Sequence, residues 1–200
     1  RLYAYQISDL IEKKKIDPVI LLEHFIENFE KASNKKRYAF SKFLKKESLK
    51  EAELSWKRQK EGNRLGLFDG IPTGWKDVID VKGFPALAGS ELLKRIRINK
   101  VVKDATVVSR AKKKGMITLA KTSTVEFAFG GLGINNSSAY SPNLMIKGNL
   151  CPGGSSSGSA SAVYANLIPL AVGTDTAGSV RIPSAWHGLV AVSYTHLTLP

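Results

Sequence analysis

Two stretches of this chain are built almost wholly from glycine and hydroxyl-bearing residues, and nothing else in it restricts the fold as sharply. The first reads Cys151-Pro152-Gly153-Gly154-Ser155-Ser156-Ser157-Gly158-Ser159-Ala160. The second reads Gly173-Thr174-Asp175-Thr176-Ala177-Gly178-Ser179-Val180-Arg181-Ile182-Pro183. Glycine lets a backbone turn tightly and approach a ligand closely. Successive N–H groups in such a turn can point at one anionic oxygen. A Gly-Ser pair opening a helix therefore has the parts of an oxyanion cradle with a nucleophile attached. Apolar patterns flank both stretches: residues 158–166 read as a helix, and residues 168–172 as a strand with Pro169 near its start. A flexible Gly/Ser linker fits that setting poorly.

Other sites compete for these segments. A Walker-type phosphate loop needs Gly-Lys-Ser/Thr, which follows neither stretch. The dinucleotide fingerprint fails too, because Gly130-Gly131-Leu132-Gly133 lacks its spacing and only a weak strand pattern precedes it. Gly154-Ser155-Ser156-Ser157-Gly158 formally matches G-x-S-x-G with Ser156 central, but residues 147–152 before it make a poor strand. The only later histidines are His187 and His196, so a Ser–His–Asp enzyme is disfavoured.

Residues 1–62 read as mainly helical. Asp17-Pro18 pairs an N-cap with a first-turn proline. Behind it Leu21, Leu22, Phe25, Ile26 and Phe29 recur at three- and four-residue spacing and form one apolar face. A second helix is predicted over residues 47–59, with Tyr38, Phe40 and Phe43 marking a short extended segment between the two. His24 reads as a partly buried surface residue rather than a ligand. From Gly66 onward Gly, Pro, Ser and Thr become frequent. Asp104 is predicted to cap a helix running to Lys114, which Gly115 ends, and residues 116–120 read as a strand. Strand–helix alternation favours an α/β sheet covered by helices.

The chain has 200 residues, 43% of them hydrophobic, enough for one domain with a core. No run approaches the ~18 apolar residues of a membrane span, and the start lacks the order of a signal peptide. The expectation is a cytoplasmic protein without a membrane partner. A single cysteine, Cys151, excludes an internal disulfide and a thiolate metal cluster, and reads as a buried or tolerated thiol. The net charge of +13 is compatible with an anionic partner such as nucleic acid. The basic residues are, however, mostly lysines spread through helical stretches around residues 13–15, 45–50 and 112–114, with few aromatics among them. That distribution describes solvated faces rather than a stacking surface.

Taken together, the segments resemble the amidase signature family. Residues 153–183 match its Gly/Ser stretch almost throughout, and Asp69-Gly70-Ile71-Pro72-Thr73-Gly74-Trp75-Lys76-Asp77 resembles its Gly-x-Pro…Lys-Asp segment. Gly89-Ser90, Asp104-Ala105-Thr106-Val107-Val108, Lys121-Thr122-Ser123 and Glu126-Phe127-Ala128 follow in the expected order. The resemblance implies an α/β fold with a mixed β-sheet core covered by helices on both faces. Residues 1–62 would be its N-terminal helical segment and residues 63–191 the signature core. It also implies a Ser–Ser–Lys triad: Ser179 matches the nucleophile, Ser155 the bridging serine held beside a cis peptide bond, and Lys76 the base. The backbone N–H groups of Thr176, Ala177, Gly178 and Ser179 match the oxyanion hole. The implied reaction is hydrolysis of a carboxamide C–N bond through a serine acyl-enzyme, with no cofactor and no metal. The implied partner is a small-molecule amide substrate, with a homodimer as a further option.

The chemistry makes sense of these residue types. An amide is a poor electrophile, so the serine must lose its proton as it attacks and the tetrahedral oxyanion must be held. Lysine accepts that proton only when neutral. With an ordinary pKa near 10.4, about one lysine in 2,500 is neutral at pH 7, and making it mostly neutral needs a shift worth roughly 4–5 kcal/mol. Burial and donors aimed at the amine can supply it.

Some positions depart from the family pattern. Ala177 stands where many members have Gly; since it would offer only a backbone N–H, Ala serves if its φ is negative. Ala86-Leu87-Ala88 replaces a Thr-containing stretch. Asp175 and Arg181 read equally as loop braces and as substrate contacts, and His187 as a packing or rim residue. After Gly188-Leu189-Val190 the family pattern breaks, and residues 192–197 resemble a translated sequencing adapter, so residues 192–200 are expected to be non-native. The resemblance further implies a core truncated at its C-terminus, since family members are usually more than twice as long. Two rival functions stay open: the glutamine-hydrolysing component of an aminoacyl-tRNA amidotransferase, through which a nucleic-acid partner would enter, and a catalytically inactive fragment or scaffold. Retention of Lys76, Ser155 and Ser179 together argues against the latter.

Overall fold

The computed structural model describes residues 2–96, 101 and 103–193. Of the tail expected to be non-native, residues 194–200 lie outside that range. In chain order the elements are α1 (Ala4–Glu12), α2 (Pro18–Lys31), α3 (Asn34–Arg37), β1 (Phe40–Phe43), α4 (Lys45–Glu61), β2 (Pro72–Lys76), α5 (Glu91–Ile96) and α6 (Thr106–Lys113). They continue with β3 (Ile117–Thr122), a 3-10 turn at Glu126–Ala128, α7 (Ser157–Tyr164), β4 (Leu170–Val172) and α8 (Arg181–Trp186).

The N-terminal helices form where the pattern put them. The Asp17 carboxylate accepts hydrogen bonds from the N–H groups of Val19 and Ile20, both at 2.8 Å, and so caps α2. Leu21, Leu22, Phe25 and Ile26 are buried on one face of that helix. Each is worth roughly 1.5–3 kcal/mol when fully removed from water, and this stripe seats the helical layer. Phe29 continues it by stacking on Phe43, with ring centroids 3.9 Å apart, and meeting Phe40 edge-on. These rings tie β1 to α2. The second predicted helix is α4, which extends two residues beyond its expected bounds at each end. His24 is exposed, with Nε2 3.1 Å from Asn28 Nδ2.

The four strands run in the order β1-β3-β2-β4. β1 is antiparallel to β3, whereas β2 is parallel to both β3 and β4, so the sheet is mixed. One face carries a core of Ile7, Ile11, Leu22, Phe25, Ile117 and Leu119, with Ala162 of α7 and Ile168. On the other, Trp75 packs with Val108 of α6, Ile79 and Val81. Helices thus cover both faces, and the fold is α/β.

Register matters here. Thr73 pairs with Thr118 but Gly74 pairs with Ala120, so Leu119 is an extra residue in β3. A bulge of this kind shifts the alternation of side chains along a strand. Leu119 joins the helix-side core, and three residues later Thr122 faces α7, its Oγ1 2.7 Å from Ser159 Oγ. Lys121 is left to the opposite side. β3 is two residues longer at its C-terminal end than the apolar run predicts, because these last residues are polar yet buried.

Two further expectations change, and one strand was not foreseen. Asp104 does not cap α6, whose N-cap is Ala105. The Asp104 carboxylate instead accepts from the Lys82 N–H at 2.6 Å and from Lys112 at 3.1 Å, and these partners hold it toward the preceding loop. Of residues 168–172 only Leu170–Val172 pairs as a strand. β2, with a proline at its start and a glycine at its centre, is a strand that alternation does not reveal. The glycine is required: a Cβ on Gly74 would lie 2.7 Å from Ile168 Cδ1 and 2.9 Å from Thr122 Cγ2.

Candidate active site

Lys76 is the last residue of β2 and has no exposed surface. Its amine lies 2.7 Å from Ser155 Oγ, 2.8 Å from Thr174 Oγ1 and 3.4 Å from the Thr174 carbonyl. Residues 72–79 and 151–160 are thereby joined across 79 positions of sequence. No carboxylate forms an ion pair with this amine among the described residues. Burial lowers its pKa from the usual 10.5 to about 8, while the charge of Asp175 pulls the other way. At such a value about one amine in ten is neutral at pH 7.

Ser155 is held by its backbone from several directions. The Gly154–Ser155 peptide bond is cis. The Ser155 carbonyl accepts from Thr124 Oγ1 at 3.0 Å and from the Val125 N–H at 3.3 Å. Just before it, Gly153 N–H donates to the Leu132 carbonyl at 2.9 Å and Gly154 N–H to the Gly131 carbonyl at 2.8 Å. A Cβ on Gly154 would meet Gly133 N at 2.8 Å and Gly130 O at 2.9 Å. The Gly130-Gly131-Leu132-Gly133 run, which fails as a nucleotide motif, is thus the backing of the first glycine–serine segment. Residues 152–162 are buried, and α7 opens directly after Ser156. That is not the environment of a linker.

The second segment leaves β4 and folds against the first. Ser156 N–H donates to the Ser179 carbonyl at 3.0 Å, and Ser156 Oγ lies 3.3 Å from the Thr174 carbonyl. The loop is shaped by Asp175, whose carboxylate accepts from the N–H groups of Gly178 at 2.6 Å, Val180 at 3.3 Å and Arg181 at 3.3 Å. The Arg181 guanidinium adds contacts at 3.0 and 3.2 Å, and this pairing first of all holds the Asp175 carboxyl well below the usual range. Asp175 and Arg181 therefore brace the loop.

Of the four N–H groups matched to an oxyanion hole, the one on Gly178 is committed to Asp175. Those of Thr176, Ala177 and Ser179 have no acceptor among the described residues. Thr176 and Ala177 are exposed, and Ala177 avoids the left-handed region that Gly178 occupies at φ +106°. Ser179 is half-buried, and its hydroxyl makes no hydrogen bond among the described residues. The Lys76–Ser155 pair and Ser179 are connected through backbone, by way of Ser156. His187 is buried, with Nδ1 2.9 Å from the Pro183 carbonyl and Nε2 3.4 Å from Ser161 Oγ; burial lowers its pKa. It packs α8 against α7. Cys151 is half-buried and free.

Sequence reasoning missed two contributors. Thr174 touches the Lys76 amine by side chain and carbonyl, yet nothing in a hydroxyl-rich run distinguishes it from its neighbours. Lys121 forms an ion pair of 2.7 Å with Asp77, the residue after Lys76, and both side chains are almost wholly buried. Its signal was a lysine directly following the apolar residues of β3. Among the described residues, no three His, Cys, Asp or Glu side chains gather as a metal site, and no helix is long and apolar enough to cross a membrane.

Known proteins share this arrangement of chain. The chain is 35% identical over 190 residues to the A component of the glutamyl-tRNA(Gln) amidotransferase of Chlamydia pneumoniae, covering 95% of this chain and 38% of that relative. It is 35% identical over 193 residues to the component of the same name from Clostridium botulinum, covering 96% and 39%. Among solved structures, a crystal structure of an amidase superposes with a TM-score of 0.80 at 30% identity, covering 92% of this chain and 41% of that one. The native peptide amidase from Stenotrophomonas maltophilia superposes with a TM-score of 0.79 at 26% identity, covering 92% and 38%. The chain thus spans about two fifths of the length of these relatives. Residues 21–200 match the Amidase family model, and the chain belongs to that family, the amidase signature enzymes.

Proposed function

We propose that this chain carries the Ser–Ser–Lys centre of a serine amidase, with Ser179 as nucleophile, Ser155 as proton relay and Lys76 as base. The observation that carries the reading is the buried Lys76 amine, 2.7 Å from Ser155 Oγ and free of any carboxylate ion pair among the described residues. A lysine in that setting is neutral often enough to accept a proton. In the first step Lys76 takes the Ser155 proton, Ser155 takes that of Ser179, and Ser179 Oγ bonds to the carbonyl carbon of the amide. The carbonyl electron pair moves onto oxygen, where the N–H groups of Thr176, Ala177 and Ser179 receive it. Each such donor is worth ~10²–10³-fold in rate. The pair then re-forms the carbonyl, the C–N bond breaks, and the proton returns through Ser155 to the leaving nitrogen. Water repeats the sequence on the Ser179 ester, releases the acid and restores the enzyme. Gly178 serves the loop by binding Asp175, so the hole has three donors rather than four.

The test is direct. A fluorophosphonate should label Ser179, and ammonia or amine should be released from a panel of small carboxamides. Ser179→Ala should abolish both, and Lys76→Ala nearly so. Wild-type rates in both variants would eliminate the mechanism, and no label at Ser179 in the parent chain would support an inactive scaffold. A second reading, the glutamine-hydrolysing component of a tRNA-dependent amidotransferase, is favoured by the 35% identity to two relatives bearing that name. It requires selective ammonia release from glutamine, increased by the partner proteins with misacylated tRNA. Equal turnover of unrelated carboxamides would sink it. The Ala177 variant and the Gly130–Asn135 run favour the general amidase.

A further inference from the structure

The catalytic reading leaves one buried ion pair without a task. Lys121 Nζ lies 2.7 Å from Asp77 Oδ1 and 2.9 Å from the Pro85 carbonyl, with only 2% and 3% of the two charged side chains exposed. Asp77 directly follows the base, and its backbone is fixed as firmly as its side chain. Its N–H donates to the Thr122 carbonyl at 3.0 Å, and its carbonyl accepts from the Ala88 N–H at 2.8 Å. Trp75 and Lys121 are register partners, as are Lys76 and Thr122. Successive residues of a strand point to opposite faces. The pair therefore sits across the sheet from the Lys76 amine, at the point where β2 ends.

We propose that Lys121 is a positioning residue for the base: its ion pair with Asp77 anchors the chain as it leaves β2 and cancels the carboxylate charge adjacent to Lys76. This rests on the assignment of Lys76 as the base. A buried carboxylate without its partner is costly, and its field in a low-dielectric interior favours protonation of any nearby amine. A protonated Lys76 cannot accept the serine proton. Lys121 is thus the cation that lets the neighbouring lysine do without its charge.

The charged groups facing this region come from few elements. On the nucleophile loop, Asp175 opposes deprotonation of Lys76 and is itself paired with Arg181. On the far side of the sheet stand Asp77, Lys121 and Asp80, the last accepting from the Ala86 N–H at 3.1 Å. The α7 segment, residues 157–164, carries no charged side chain. Removing Lys121 therefore leaves the Asp77 carboxylate as one uncompensated negative charge near Lys76.

The test reads the base itself. The Lys76 amine is titrated by NMR in ¹³C-lysine-labelled chain, and fluorophosphonate labelling of Ser179 is followed against pH in the same samples. Lys121→Met should raise the Lys76 midpoint by about one pH unit and slow labelling at pH 7.5 about tenfold. Adding Asp77→Asn should return the midpoint toward that of the parent, and Lys121→Arg should leave it nearly unchanged. A midpoint that stays put in Lys121→Met, or labelling that falls equally at every pH, overturns the inference while leaving the triad intact. If Lys121→Met fails to fold, the comparison of parent with the neutral double variant decides: a midpoint shifted in the double variant by as much as one unit overturns it. Failure of the triad reading would look different, as absence of Ser179 labelling in the parent chain.

Discussion

Lys76 and Lys121 lie near the ends of adjacent parallel strands, both with almost no exposed surface, yet their surroundings are opposite. Lys121 meets a carboxylate and a carbonyl, the partners a buried ammonium needs to stay charged. Lys76 meets two hydroxyls and a carbonyl. Burial without a counter-charge moves the amine toward neutrality, which is how a residue that is ordinarily a fixed cation becomes a base at moderate pH. The difference arises within a few residues. Successive residues project to opposite faces, and the extra residue in β3 sets which face Lys121 takes, so the same pair of strands carries the ion pair on one side and the Lys76 amine on the other.

If the two lysines differ in this way, substitution should separate activity from stability. Lys76→Met is expected to lower Ser179 reactivity by ~10²–10⁴-fold, the usual worth of a general base, with the fold retained. Serine labelling beside a thermal melt reads both, and a variant that keeps a tenth of parental reactivity would break the comparison. Lys121→Met should act mainly on stability, at about 3–5 kcal/mol, because Asp77 is left as an uncompensated buried charge, with only the roughly tenfold loss of labelling. Urea unfolding measures it, and a loss below about 1 kcal/mol would mean that the pair contributes little.

The pH dependence of stability sharpens the contrast. The Lys76 pKa is about 8 in the folded chain against the usual 10.5. Between those values the unfolded chain binds more protons at this position, so stability rises with pH there. Below about pH 8 the full penalty, roughly 3 kcal/mol, is present, and above pH 10.5 it is gone. Lys76→Met removes that penalty, so its stability gain over the parent should be largest at neutral pH and vanish near pH 10.5. A gap independent of pH would show that burial of this amine costs nothing. The smallest effect belongs to Thr174→Val, which deletes one hydrogen bond to the amine. It should slow Ser179 labelling by about two- to tenfold, the kinetic equivalent of 0.5–1.5 kcal/mol. No change would mean that Ser155 Oγ and the Thr174 carbonyl suffice to orient Lys76.

The helical layer was legible because its signals are local. Asp17-Pro18 and the spacing of Leu21, Leu22, Phe25 and Ile26 state a capped amphipathic helix with no reference to the rest of the chain. The same holds for the rejection of a linker at residues 151–160, where glycine and serine run straight into a helix. Elements whose cause is remote were hidden. β2 lacks alternation because Gly74 must admit Ile168 and Thr122 from other elements, and Pro72 begins it. β3 ran past its apolar residues because Lys121 finds a carboxylate just beyond the end of the neighbouring strand. Asp104 carries the residue type of a cap, but the backbone of Lys82 and the amine of Lys112 claim it.

Within the candidate site the division is the same. Sequence alone determined which residues are present: Lys76, Ser155 and Ser179, and the glycines around them, in the order of a known family. Only the tertiary structure decided their states. It put the Lys76 amine against Ser155 and Thr174 and turned the Gly178 N–H to Asp175. It also gave Lys121, and not Lys76, the compensating charge. Whether a lysine is an ammonium or a base depends on distance to charge and to water, and those distances are set by residues tens of positions away.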